Sequence, residues 1–367
     1  MSRLCYCTNV HPAEDLAGVL RQLDTHAVPV RERLGRDRLG LGLWLAAEAA
    51  AELAADPAAL RRLRAELDAR GLSVLTLNAF PYGGFHQRVV KHTVYRPDWA
   101  DPARARYTAD CAYVLAGLLP DDAGGGSLST LPLGWRSPWP PAADRAAESA
   151  LTWTAGELRK ASAQAGRPLR LAVEPEPGCV LDTVADAVRW LAPRVDPEVI
   201  GVCLDTAHLA VSFADPEQTV AAIERAGLAV VKIQASSALH VDDPRAPEAR
   251  RLLAEYAEPR YLHQVREWGG QGRVRAADDL PEALEGLPGE GAWRVHFHIP
   301  LHAEPAPPLR GTTDVLRRAV AAVRDRTVVE VETYTWQVLP GGADPVDGIA
   351  AELRWAEREL LDEGRAT

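Results

Sequence analysis

Short apolar runs recur along the chain, each followed by a more polar stretch in which apolar residues return at helical spacing. The runs are Leu4–Asn9, Leu39–Leu45, Leu72–Phe80, Ser127–Leu133, Leu169–Glu174, Val199–Asp205, Leu228–Gln234 and Thr327–Thr333. Their lengths and apolar character predict buried strands. The intervening stretches predict helices from near Pro12, from Asp56-Pro57 to Gly71, over 101–118, from 142 to Gly166, over Thr183–Leu191, over Pro216–Ala226 and over Val346–Leu361. Proline near the starts and glycine at several stops support those limits. Strands that alternate with helices imply parallel pairing through right-handed crossovers. Eight such units within 367 residues predict a single (β/α)8 barrel domain, an α/β fold. An open doubly wound sheet is the alternative. It usually carries a glycine-rich turn after its first strand, and that turn here reads Thr8-Asn9-Val10-His11-Pro12.

One region overruns the count. Between 235 and 310 lie two more β-like runs, Tyr261–Arg266 and Trp293–Ile299. They predict an inserted β-containing segment or an elaborated seventh unit. The pattern leaves open whether the Trp293 run is itself the seventh barrel strand.

Charge and composition narrow the partners. Lys+Arg 41 against Asp+Glu 51 gives a net charge of −10, which argues against a nucleic-acid partner. No stretch reaches the roughly 18 apolar residues of a membrane span. The N-terminus lacks the apolar run of a signal peptide. Five thinly spread cysteines point to reduced thiols and a cytoplasmic protein. The oligomeric state is not legible.

A barrel places its site at the C-terminal ends of the strands. The residues standing there are rich in metal-competent side chains: Glu174, Asp205 with His208, and Glu330 and Glu332. An acid within an apolar strand is costly unless paired or metal-bound. Carboxylate and imidazole ligands suit one divalent ion, Mn, Mg, Co, Fe or Zn. Alternation puts Glu330 and Glu332 on one face without saying which reaches the mouth. It also puts His296 and His298 on one face, as ligands or as a core pair. His263 and His302 read as surface residues, and Cys203 as lying below Asp205. Asn78, His86, Trp135, Gln234 and Trp336 fall at or just past strand ends and are candidate contacts for a small polar metabolite. Trp44, Tyr82, Trp139 and Tyr334 would join them in walling a pocket mouth.

Three segments carry a resemblance. Val173-Glu174-Pro175, Leu204-Asp205-Thr206-Ala207-His208 and Glu330-Val331-Glu332-Thr333 are similar to the metal motifs of the xylose-isomerase-like TIM-barrel superfamily of sugar epimerases and isomerases. Over nearly the whole chain, Tyr6-Cys7-Thr8-Asn9-Val10-His11, Leu77-Asn78-Ala79-Phe80-Pro81-Tyr82-Gly83, Lys91-His92-Thr93-Val94-Tyr95, His296-Phe297-His298-Ile299-Pro300 and Glu332-Thr333-Tyr334-Thr335-Trp336 resemble EboE-type metabolite-traffic proteins. These are sugar-phosphate-isomerase-like and belong to clusters that move or build a secondary metabolite.

The resemblance implies a metal site of Glu174, Asp205, His208, His298 and Glu332. Glu174 and Glu332 would double as acid/base residues that move a proton through a metal-stabilised enediolate. It also departs from the pattern at one point. Epimerases usually present a histidine on the seventh strand, where this chain reads Lys232-Ile233-Gln234, so either His298 or Gln234 fills that place. An inosose-dehydratase-like lyase and a barrel that binds a metabolite without turning it over remain as alternatives.

Overall fold

In the computed structural model, which describes residues 4–270, 272–324 and 327–361, two sheets divide the strands. In chain order the strands are β1 (Leu4–Cys7), β2 (Leu39–Trp44), β3 (Leu72–Asn78), β4 (Gly126–Thr130), β5 (Leu169–Val173), β6 (Ile200–Asp205), β7 (Val230–Ala235), β8 (Leu239–Val241), β9 (Val265–Trp268), β10 (Val274–Ala277), β11 (Trp293–Val295), β12 (Arg310–Gly311) and β13 (Val328–Val331). Strands β1–β7 and β13 close a parallel barrel in the order β1-β13-β7-β6-β5-β4-β3-β2. The remaining five form an antiparallel sheet in the order β10-β9-β11-β8-β12. The seventh barrel strand is therefore the Val230 run, and the Trp293 run belongs to the second sheet.

Barrel strands are buried on both faces, which is why they read as continuous apolar runs; every residue of β3 is buried. Helices cover the outside, the longest being Pro141–Ala165, which stops at Gly166 with φ 65°, a left-handed turn that glycine adopts without strain. The first helix starts later than Pro12. It runs Leu16–Gln22 because the Asp15 side chain accepts from Gly18 N and sets the boundary there. A further helix, Ala47–Ala55, precedes the one at Pro57. The second sheet has its own core of Leu239, Leu253, Val265, Trp293 and Phe297. The indole of Trp293 donates to Glu267 Oε2 at 2.9 Å.

The Tyr261–Arg266 run is not a strand over its whole length: pairing begins only at Val265. The Trp293 run pairs only to Val295, and the next residues leave the sheet. Those two departures carry side chains from the second sheet to the mouth of the barrel.

Candidate metal centre

Each acidic residue of the site stands at a strand end held by backbone bonds. Asp205 ends β6 and accepts on Oδ1 from Ala207 N, His208 N and Ser236 Oγ, at 2.8, 2.9 and 2.8 Å. Glu174 N bonds Thr130 O, and Glu332 N bonds Ala235 O, so both residues follow their strands without slack. Glu332 Oε1 accepts from Asn9 Nδ2 at 2.7 Å and Asn78 Nδ2 at 3.1 Å. His298 arrives from the loop after β11, fixed by Nδ1 donating to Glu332 O at 2.9 Å. That bond leaves its Nε2 as an acceptor, 3.9 Å from Asp205 Oδ2.

Glu174 Oε2, Asp205 Oδ2 and His298 Nε2 are buried with no hydrogen-bond partner. Ligand atoms of Asp205, His298 and Glu332 lie within 4.8 Å of one another, as do those of Glu174, Asp205 and His208. Burial pushes the Glu174 and Glu332 carboxyls well up, and neighbouring acids, Asp205 among them, push further. Burial opposes the Asp205 charge too, but His208, His298 and the donors on its oxygens outweigh it and hold that carboxyl low. Burial pulls His298 down to about 4, which keeps the ring neutral and its lone pair available. The donor set therefore fits a divalent cation: buried acceptors converge, and the acids lack a counter-charge of their own at the mouth.

His208 donates from Nδ1 to Pro175 O at 3.0 Å, and its Nε2 meets His296 Nε2 at 3.0 Å. His296 Nδ1 is taken by Gln264 Oε1 at 2.6 Å. Gln264 in turn donates to Tyr95 Oη at 3.1 Å, which bonds Glu176 Oε1 at 2.7 Å. With both Nδ1 atoms committed to oxygens, the Nε2 contact needs a shared proton or a shared cation.

The residues expected from sequence separate into two groups. Glu174, His208, His298, Glu332 and Asn78 line one cleft, and Asp205 stands next to it with Oδ2 3.9 Å from His298 Nε2. Four expected contacts lie elsewhere. Gln234 is sealed in the barrel, where Cys203 Sγ approaches its Oε1 at 3.1 Å. His298 comes near Asp205, at 3.9 Å, from the loop after β11, while Gln234 is paired with Asp205 across β6 and β7. His86 bonds Asn9 O at 2.7 Å from outside the cleft wall. Trp135 stands behind Tyr95, ring centres 5.2 Å apart. Trp336 lines a separate groove with His302 and donates to Glu352 Oε2. His263 is not at the surface: it is fully buried between His296 O and Glu258 Oε1, at 2.9 Å from each.

The cleft also contains residues that sequence reasoning did not single out for it: Glu176, Phe85, Tyr95, Tyr261 and Leu262. The spacing Glu174-Pro175-Glu176 was the available signal for Glu176. Tyr261 and Leu262 come from the insertion and carry no local signal.

No protein-family model matches the chain and no curated protein matches it. Solved structures do. A xylose isomerase-like TIM-barrel protein from Mycobacterium smegmatis, in complex with magnesium, aligns with TM-score 0.54 and 14% identity over 97% of this chain and 96% of that one. D-allulose 3-epimerase from Methylomonas sp., in complex with D-allulose, aligns with TM-score 0.53 and 12% identity over 97% and 96%. A D-psicose 3-epimerase in the presence of D-fructose aligns with TM-score 0.53 and 15% identity over 98% and 99%. At those identities the likeness establishes the fold alone, a (β/α)8 TIM barrel. No helix among the described residues is long and apolar enough to cross a membrane.

Proposed function

We propose that this protein is a divalent-metal-dependent isomerase or epimerase of a sugar, sugar phosphate or cyclitol, in a secondary-metabolite pathway of the EboE type. The observation that carries this reading is a pair of buried ligand groups that share Asp205, Glu174–Asp205–His208 and Asp205–His298–Glu332, in which Glu174, Asp205 and His298 each keep an acceptor without a partner. Those four residues would hold the ion, with His208 next to them. When bound, the ion supplies Lewis-acid polarisation of a carbonyl and its neighbouring hydroxyl.

The chain's own residues do the rest. Glu174 and Glu332 reach the cleft from two different strands, so one can take a proton from the carbon beside the carbonyl while the other returns one. Burial raises their proton affinity, which suits groups that hold a proton for part of a cycle. Asn9 and Asn78 fix the Glu332 carboxylate, and the His208–His296 pair faces the cleft to orient hydroxyls. The barrel wall and the insertion keep water out.

The test is the metal content of the full chain purified without a chelating tag and then equilibrated with Mn²⁺ or Zn²⁺. One ion per chain is expected, lost in His298→Ala. Solvent deuterium should enter a ketose or inosose at the carbon beside the carbonyl, and Glu174→Gln should abolish that exchange. A wild-type chain that takes up neither ion overturns the reading.

A further inference from the structure

The cleft has two chemically distinct ends. At its base, every buried lining atom without a hydrogen-bond partner is an acceptor: Asn9 Oδ1, Glu174 Oε2, Glu176 Oε2 and His298 Nε2. The assignments follow from their partners, since Asn9 Nδ2 is spent on Glu332 and His298 Nδ1 on a carbonyl. Acceptors match hydroxyl hydrogens and a cation. They repel a phosphate, which at neutral pH is rich in acceptors and negative charge.

The other end is mostly apolar and meets the first at the Tyr334 ring, whose centre lies 4.7 Å from that of His298 and 5.9 Å from that of Phe85. Phe80, Phe85, Val90, Val94 and Leu262 line it, with the rings of Tyr95, Tyr261 and Tyr334. Two of those tyrosine hydroxyls are committed, Tyr95 to Glu176 and Tyr261 to the Phe85 carbonyl at 3.2 Å. The one Lys or Arg among the lining residues is Lys91, and its ammonium is paired with Asp279. Barrels that bind phosphate commonly do so in the loops after the seventh and eighth strands. Here the first of those loops leads into the second sheet and the second presents Tyr334.

Resting on the function proposed above, we infer that the substrate is uncharged: a vicinal hydroxy-carbonyl or diol at the metal end, joined to an apolar group that fills the outer end. A sugar phosphate would find no unpaired cation at the outer end, where Lys91 is bound to Asp279, and a free polyol would find there only the Tyr334 hydroxyl.

Hydroxamates test this independently of turnover, because they chelate a divalent ion and differ only in their tails. Binding to the Mn²⁺-loaded full chain is measured by calorimetry for 3-phenylpropanohydroxamate, a polyhydroxylated hydroxamate and phosphonoacetohydroxamate. The phenyl compound should bind at least about ten-fold tighter than either other, a difference of about 1.4 kcal/mol. Phe85→Ala should erase most of that preference while leaving metal content unchanged. Equal affinities, tighter binding of the phosphonate, or no binding of the phenyl compound overturns the inference. Deuterium exchange at the carbon beside the carbonyl, measured on a hydroxy ketone with an apolar substituent as well as on a ketose, reports separately on the isomerase reading, so either proposal can fail alone.

Discussion

Two acids two residues apart, Glu330 on β13 and Glu332 just past its end, meet opposite fates. Glu330 points into the barrel floor, fully buried, with Lys232 Nζ 2.6 Å from its Oε2. Burial alone would strip the proton from Lys232, but Glu330 outweighs it and raises the lysine's proton affinity. Space is reserved for the acid: a Cβ on Gly42 would lie 1.3 Å from Glu330 Oε1. Glu332, at the mouth, has two asparagine amides and no cation of its own. The floor is electrically closed and the mouth is open, so only the mouth calls for a charge from outside. That difference separates a paired acid from an unpaired one where alternation alone put the two on equal standing.

The largest effect should come from breaking the closed pair. Glu330→Gln leaves the Lys232 ammonium buried without its counter-charge. Removing one partner of such a pair costs about 3–5 kcal/mol, read as a lower urea midpoint at unchanged slope. Lys232→Met combined with Glu330→Leu should recover most of that loss, since apolar replacement of both partners is often neutral. If the single variant loses less than about 1 kcal/mol, the floor is not held by this pair.

The contrast also marks what the chain reveals as text. Barrel strands were legible because burial on both faces writes itself as contiguous apolar runs, and Glu174, Asp205, His208 and Glu332 were legible because they follow those runs directly. Lys232 was read only as a missing histidine; its partner lies about a hundred residues away, and pairing across a barrel leaves no local mark. His298 stayed one of two options for the same reason. It reaches the mouth by leaving β11 early, and the alternation that put His296 and His298 on one face cannot say where a strand stops pairing. Trp336 shows the converse failure: an aromatic past a strand end looks like a pocket wall, but its indole turns away from the cleft to the buried Glu352.

Glu352 sharpens the comparison as a third kind of buried acid, satisfied by dipoles alone. It accepts from Leu301 N at 3.0 Å, Thr333 Oγ1 at 2.7 Å and Trp336 Nε1 at 3.1 Å, tying together the loops that follow His298 and Glu332. Burial pushes it from 4.5 up to about 7, against those three donors. A carboxyl raised in the folded state contributes stability in full below the unfolded value near 4.5, and that contribution is lost as pH rises through about 7. The interval corresponds to about 3 kcal/mol. Glu352→Gln, which has no proton to lose, should therefore gain on the wild type by about that amount between pH 4.5 and 7.5. Denaturation at the two pH values checks it. Parallel pH profiles would show that this carboxyl titrates as it does in the unfolded chain.

The smallest effect is the most discriminating, because it reverses sign. Glu332→Gln keeps an oxygen to accept from Asn9 and Asn78 and removes a charge that has no cation beside it. Without metal, the variant should be more stable than wild type by about 1 kcal/mol at pH 8, since burial opposes ionisation of the Glu332 carboxyl in the folded state and a neutral amide carries no such cost. With saturating Mn²⁺ the order should invert, because a ligand bound only by the folded state adds stability in proportion to its affinity and the variant has lost a carboxylate ligand. The same Glu-to-Gln change two residues earlier, at Glu330, should destabilise with or without metal and leave metal affinity within a few-fold. A Glu332→Gln chain destabilised to the same degree in both conditions would make Glu332 one more structural acid, and would move the open end of the barrel elsewhere.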